Sequence, residues 1–245
     1  MSRAAQIAAA LDAVRQQIAE AEARVGRRAG SVRLIAVSKK MPAADVRAAL
    51  AAGQRDFGEN YATELRDKRT ELAAGAGPSG ETSGAPLWHY LGPLQRNKVK
   101  ILAGQVALIH SVADTDLVDE IEKRTAAMGV APQACLVQVN LAGEAQKSGV
   151  AAEALPALLD RFARAAHVTC QGLMLIPPLG AGAEDSRPHF AGLRVLAERE
   201  ARVARPNVDL TQLSMGMSGD FAVAIEEGAT LVRVGTAIFG ERAPV

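Results

Sequence analysis

The chain is poor in the features that mark special environments. It has two cysteines in 245 residues, too few for the stapled scaffolds of small secreted domains. Cys135 and Cys170 each lie in an apolar, strand-like run, which reads as a pair of buried free thiols in the reducing cytoplasm, against a disulfide or a metal pair. Neither sign of charge dominates: 28 Lys and Arg against 27 Asp and Glu leave a formal net charge of +1. No polyanion partner such as nucleic acid is implied. No apolar run reaches the roughly 18 residues of a bilayer span, so no membrane role is expected. His89 and His110 lack Cys or acidic neighbours at metal-ligand spacing, and no metal is expected. Gly235-Thr236-Ala237-Ile238-Phe239-Gly240 is not a dinucleotide fingerprint, because it ends the last βα unit and no further strand follows.

What remains is a composition with 49% hydrophobic and 22% charged residues, suited to one soluble domain over 1–245 with a full core. Residues 1–27 read as an amphipathic N-terminal helix, with Leu11, Val14, Ile18 and Val25 at helical spacing among charged residues, and not as a signal peptide. Beyond it, short runs rich in Val, Ile and Leu fall near 32–38, 54–58, 87–91, 106–111, 134–140, 168–174, 210–215 and 230–235. Helical patterns lie between them, near 43–52, 60–74, 94–103, 114–128, 151–166, 186–204 and 218–227. This alternation predicts an α/β fold, a single (β/α)₈ TIM-type barrel with an extra N-terminal helix. An open doubly wound sheet is the alternative, since periodicity does not show closure. Residues 75–86 have the composition of a flexible loop on the face away from the site. The Pro/Gly-rich stretch 177–185 follows a strand on the catalytic face.

In a parallel barrel the chemistry sits where strands end. The first strand ends in Val37-Ser38-Lys39-Lys40, and a lysine there is poorly solvated, which lowers an amine's pKa and exposes a nucleophile. With a phosphate cradle elsewhere, Lys39 reads as a Schiff-base lysine. Strands seven and eight commonly end in such a cradle. Ser214, Gly216 and Ser218 offer hydroxyls and close-approach backbone, and Gly235-Thr236 repeats the offer from the neighbouring strand; ordinary turn residues are the alternative. Counting in twos puts Leu231, Arg233 and Gly235 on one face of strand eight. A buried Arg233 needs an acceptor, for which a pyridine nitrogen is suitable, while a surface arginine at the sheet edge is the other reading.

In order, the strand-end words resemble the pyridoxal phosphate homeostasis proteins, one-domain relatives of the alanine racemase barrel. The words are Ala36-Val37-Ser38-Lys39, Phe57-Gly58-Glu59-Asn60-Tyr61, Trp88-His89-Tyr90-Leu91-Gly92-Pro93-Leu94-Gln95, Lys147-Ser148-Gly149, Gly172-Leu173-Met174, Leu213-Ser214-Met215-Gly216-Met217-Ser218 and Val232 to Gly240. The resemblance implies an alanine-racemase-like barrel in which Lys39 forms the internal aldimine with pyridoxal 5′-phosphate. It also implies that Ser214, Gly235 and Thr236 hold the phosphate, that Arg233 faces the pyridine nitrogen, and that Asn60 and Met217 lie near the ring. Lys40-Met41, Gly219 and Ala222 depart from the family's usual residues without touching those positions.

The function implied is storage, buffering or delivery of the cofactor, with apo forms of pyridoxal phosphate enzymes as transient partners. The alternative is an amino-acid racemase or decarboxylase of the same barrel type. Racemase relatives carry a second domain that donates a catalytic tyrosine across a dimer. This chain ends at Val245 with only Tyr61 and Tyr90, so the expectation is a monomeric carrier with no catalytic residue.

Overall fold

Each apolar run forms a strand laid parallel to the one before it, and the last returns to pair with the first. In the computed structural model, which describes residues 1–74, 84–143, 148–178, 180 and 182–241, the strands are β1 (Arg33–Val37), β2 (Asp56–Glu59), β3 (Leu87–Tyr90), β4 (Leu108–Val112), β5 (Gln133–Gln138), β6 (Val168–Met174), β7 (Val208–Ser214) and β8 (Leu231–Val234). They close into a barrel in chain order. The seam runs from Arg33↔Leu231 to Ala36↔Val234, which decides against the open sheet.

Period-two alternation splits β1, β4, β5, β6 and β8 between two apolar cores. Ile35, Leu108, Leu136, Met174 and Leu231 fill the barrel interior. Leu34, Ala36, Phe57, Trp88, Ile109, Val137, Val232 and Val234 face outward into a larger core shared with the helices. Cys135 and Cys170 belong to that outer core, are paired in register across β5 and β6, and are free. Burial pushes both thiols up, that of Cys170 to about 12, which leaves them unreactive.

The N-terminal helix is α1 (Arg3–Arg24), capped by Ser2 Oγ, which accepts from the Ala5 amide at 3.3 Å. Its buried stripe of Ile7, Leu11, Val14, Ile18 and Ala21 packs where α2 (Ala43–Ala51), α8 (Phe221–Glu226) and α9 (Thr236–Phe239) meet. The remaining helices are α3 (Ala62–Ala74), α4 (Val99–Leu102), α5 (Thr115–Met128), α6 (Leu155–Ala163) and α7 (Arg187–Glu200). The helix expected over 94–103 shrinks to a 3₁₀ turn at Arg96–Lys98 followed by four residues of α4. Pro93 precedes it and Gly104, at φ +68°, turns the chain away after it. The expected loop 75–86 lies outside the described residues over 75–83. Among the described residues no helix is long and apolar enough to cross a membrane.

Candidate functional site

Ile35 and Val37 of β1 point into the barrel, and the same alternation aims Lys39 at its mouth. There Lys39 lines a cavity of about 270 Å³ with Asn60 after β2, Leu91 after β3, Ile176 after β6, Met217, Ser218 and Gly219 after β7, and Arg233, Gly235 and Thr236 of β8 and its loop. A larger cavity, about 790 Å³, opens at the opposite end beside Arg69, Trp88 and Gln105 and holds none of these strand-end residues. The strand-end residues expected to carry the chemistry therefore gather at the smaller one.

The backbone around Lys39 is clamped from behind. Ser38 and Glu59 point outward from their strands and meet Lys68 of α3. Lys68 Nζ donates to the Ser38 carbonyl at 2.6 Å, to Glu59 Oε1 at 2.6 Å and to Glu64 Oε1 at 2.7 Å. Ser38 Oγ donates to Glu59 Oε1 at 2.7 Å, and Glu64 Oε1 accepts from the Lys40 amide at 2.6 Å. That last bond holds Lys40 at φ 61°, a left-handed conformation that costs a side-chain-bearing residue about 1–2 kcal/mol. Burial raises the pKa of Glu59, and the attraction and hydrogen bond of Lys68, with that of Ser38, only partly offset it.

Arg233 forms the floor. It is buried, with Nη1 donating to Ser214 Oγ at 2.8 Å and Nη2 to the Leu175 carbonyl at 3.0 Å. Burial lowers its pKa to about 10, opposed in part by Asp220, so it stays cationic at neutral pH. The β7 and β8 loops are stitched together above it. The Arg233 amide donates to the Gly216 carbonyl at 3.0 Å and the Gly235 amide to Ser218 Oγ at 3.3 Å, while the Met217 amide donates to Asp220 Oδ1 at 2.6 Å. Gly216 turns this loop at φ +91°, and a Cβ there would stand 2.6 Å from Ala224 Cβ and 2.9 Å from Phe221 Cα.

Asn60 is placed by a second close approach. A Cβ on Gly92 would fall 2.0 Å from the Asn60 carbonyl oxygen, so the loop after β3 can lie on the loop after β2 only with glycine there.

Of the residues expected from the sequence, Lys39, Asn60, Met217, Arg233, Gly235 and Thr236 line the cavity together. Ser214 does not. It is the last residue of β7, fully buried below Arg233, and its hydroxyl is 2.9 Å from His110 Nδ1. The loop hydroxyl that reaches the cavity is Ser218, four residues on. Leu91 and Ile176 complete the walls, and their only sequence signal is a place just after a strand. Lys147 of the resemblance lies outside the described residues. No group of three or more possible metal ligands occurs among the described residues.

Comparison with known proteins places the whole barrel in one family. The family described as "Alanine racemase, N-terminal domain" matches residues 9–243. The chain is 43% identical over 230 residues to the pyridoxal phosphate homeostasis protein of Pseudomonas aeruginosa, covering 94% of this chain and 93% of that one. It is 42% identical over 233 residues to the protein of the same name from Aquifex aeolicus, covering 95% and 96%. The structure of PipY from Synechococcus elongatus with PLP bound superposes with a TM-score of 0.77 at 38% identity, over 91% of this chain and 100% of that one.

Proposed function

The chain belongs to the alanine racemase N-terminal domain family, among its pyridoxal phosphate homeostasis proteins, and from that premise we propose that it holds pyridoxal 5′-phosphate at the barrel mouth for the cell's supply without turning over a substrate. The cofactor brings an aldehyde that condenses with a primary amine with loss of water, a phosphate, and a pyridine nitrogen. The cavity offers each of these a counterpart: the amine of Lys39, the hydroxyl and glycine loops of Ser218-Gly219 and Gly235-Thr236, and the guanidinium of Arg233. We assign the phosphate to Ser218, Gly235 and Thr236. Ser214, expected in that role, sits one layer too deep and supports Arg233 instead.

Asn60 and Met217 stand as the walls beside the ring. The amides that open a helix have no partner within it, and those of α9 begin at Thr236, beside the assigned phosphate. Arg233 stays cationic and donates only, so it favours an unprotonated ring nitrogen. A ring in that state is a poor electron sink, which slows carbanion chemistry.

The observation that carries the non-catalytic reading is the lining itself: among its described residues, Lys39 and Arg233 are the only ionisable side chains. Racemisation needs a second acid or base on the opposite face of the ring. Tyr61 is half exposed outside the lining. Tyr90 is buried, donates to the Pro93 carbonyl at 3.3 Å, and has its pKa pushed up to about 12 by that burial. The recipients would be apo forms of pyridoxal phosphate enzymes.

Two measurements test this together. After loading with pyridoxal phosphate and removal of the unbound cofactor, the wild-type protein should stay yellow and the Lys39→Ala variant should be colourless. Loaded protein should racemise or decarboxylate amino acids no faster than an equal concentration of free cofactor, and clear turnover above that rate sinks the carrier reading.

A further inference from the structure

Below the cavity the barrel interior contains a column of polar groups that cofactor contact alone does not explain. Arg233 Nη1 donates to Ser214 Oγ at 2.8 Å, Ser214 Oγ lies 2.9 Å from His110 Nδ1, His110 Nε2 lies 3.0 Å from His89 Nδ1, and His89 Nε2 lies 2.9 Å from Asp56 Oδ1. Ser214, His89 and His110 are each 0% exposed. The column crosses β8, β7, β4 and β3 and ends on the first residue of β2, at the far end of the barrel.

The protons in this column can be assigned from its ends. Asp56, as a carboxylate, only accepts, so His89 donates to it through Nε2–H. An imidazole with one N–H then accepts at Nδ1, so the donor to His89 is His110 Nε2–H. His110 in turn accepts at Nδ1 from the Ser214 hydroxyl, whose lone pairs accept from Arg233. Each N–H and O–H along the line from Arg233 Nη1 to Asp56 then has an acceptor.

The reverse arrangement fails this test. With both nitrogens of His89 protonated, His110 would donate Nδ1–H to a Ser214 oxygen that already accepts from Arg233, and the serine proton would be left buried without a partner. Burial, with the charge of Arg233, also drives the pKa of His110 well below the usual imidazole range.

We propose that Asp56, His89, His110 and Ser214 are positioning residues, a one-way donor chain that fixes the Arg233 guanidinium toward the cavity and anchors it to a carboxylate at the other end of the barrel. The proposal rests on the reading that pyridoxal phosphate lies in this cavity with its ring nitrogen toward Arg233. The Leu175 carbonyl is the second pin on the same guanidinium. Ser214 thus acts on the cofactor through Arg233 and not by contact.

The chain is read first without cofactor, by nitrogen-15 NMR of the imidazoles in the apo protein. Both His89 and His110 should appear as Nε2–H tautomers with a single proton; an Nδ1–H tautomer or a doubly protonated ring at either position overturns the chain. The second test loads Ser214→Ala and Ser214→Thr with pyridoxal phosphate. Ser214→Ala orphans a buried charged donor, and should weaken cofactor binding about tenfold and move the absorbance maximum of the bound cofactor. Ser214→Thr keeps the hydroxyl and should retain the wild-type absorbance even where its added methyl lowers the thermal midpoint. If Ser214→Ala lowers the thermal midpoint but leaves affinity and absorbance at wild-type values, Ser214 is only packing and the proposal is overturned. Failure of the wild type to take up the cofactor strikes the proposed function instead, since the tautomers are measured in its absence.

Discussion

Lys39 owes its aim to its neighbours. The Ser38 carbonyl is held by Lys68 and the Lys40 amide by Glu64, so both peptide units flanking Lys39 are tied to α3. Lys68 is the centre of that clamp, and Lys68→Met should destabilise the protein by about 3 kcal/mol, because it leaves a buried carboxylate uncompensated. The pH dependence identifies the group responsible. Burial raises the folded-state pKa of Glu59 above its unfolded value, so the stability linked to its proton is fully present below the unfolded carboxylate range and is lost as pH rises through the folded value. Without Lys68 the folded value rises further. Denaturant melts should therefore show a small Lys68→Met deficit in acid that widens toward neutral pH, and a deficit constant with pH would count against this role for Glu59. At this scale Lys39 and Arg233 were legible, because alternation along one strand sets which face they take. Ser214 ends β7 and stays out of the lining, while Ser218 in the loop that follows enters it, because the sequence does not mark where the strand stops. His89 and His110 gave no sign of a function, since each finds its partner on another strand, at a distance in sequence that spacing does not encode.

Contacts between elements determine whether these residues meet. Gly92 lets the β3 loop lie on the β2 loop, and Gly92→Ala would drive a methyl into the Asn60 carbonyl, 2.0 Å away. That overpacking should cost about 2 kcal/mol in urea melts and weaken cofactor binding as Asn60 shifts. A Gly92→Ala protein that binds the cofactor as wild type does would show that Asn60 is not held in this way. Helix α1 contributes stability far from the mouth. Leu11 is fully buried against the outer core, so Leu11→Ala should cost about 3 kcal/mol and leave the affinity of the remaining folded protein unchanged. All eight strands were readable from short apolar runs, and most helices from their 3.6-residue spacing. The exceptions follow from local chemistry. The 94–103 segment is bounded by Pro93 and a left-handed Gly104 and makes little helix, while α9 spans four residues, too few for a periodic pattern to form.

At the scale of the whole molecule, closure of the barrel is what brings residues from β1, β7 and β8 to one opening. No single strand carries the site: Lys39 and Arg233 are 194 positions apart yet line the same cavity because β8 pairs with β1. Closure itself had no signature in the sequence, since an open sheet uses the same strands and helices. The central claim is that one lysine at this mouth holds pyridoxal phosphate covalently, and the most direct test is borohydride reduction of the loaded full-length protein followed by peptide mass spectrometry. One reduced adduct is expected, on the peptide containing Lys39. No adduct there, or labelling spread over surface lysines such as Lys40 and Lys100 with none favoured, would contradict it.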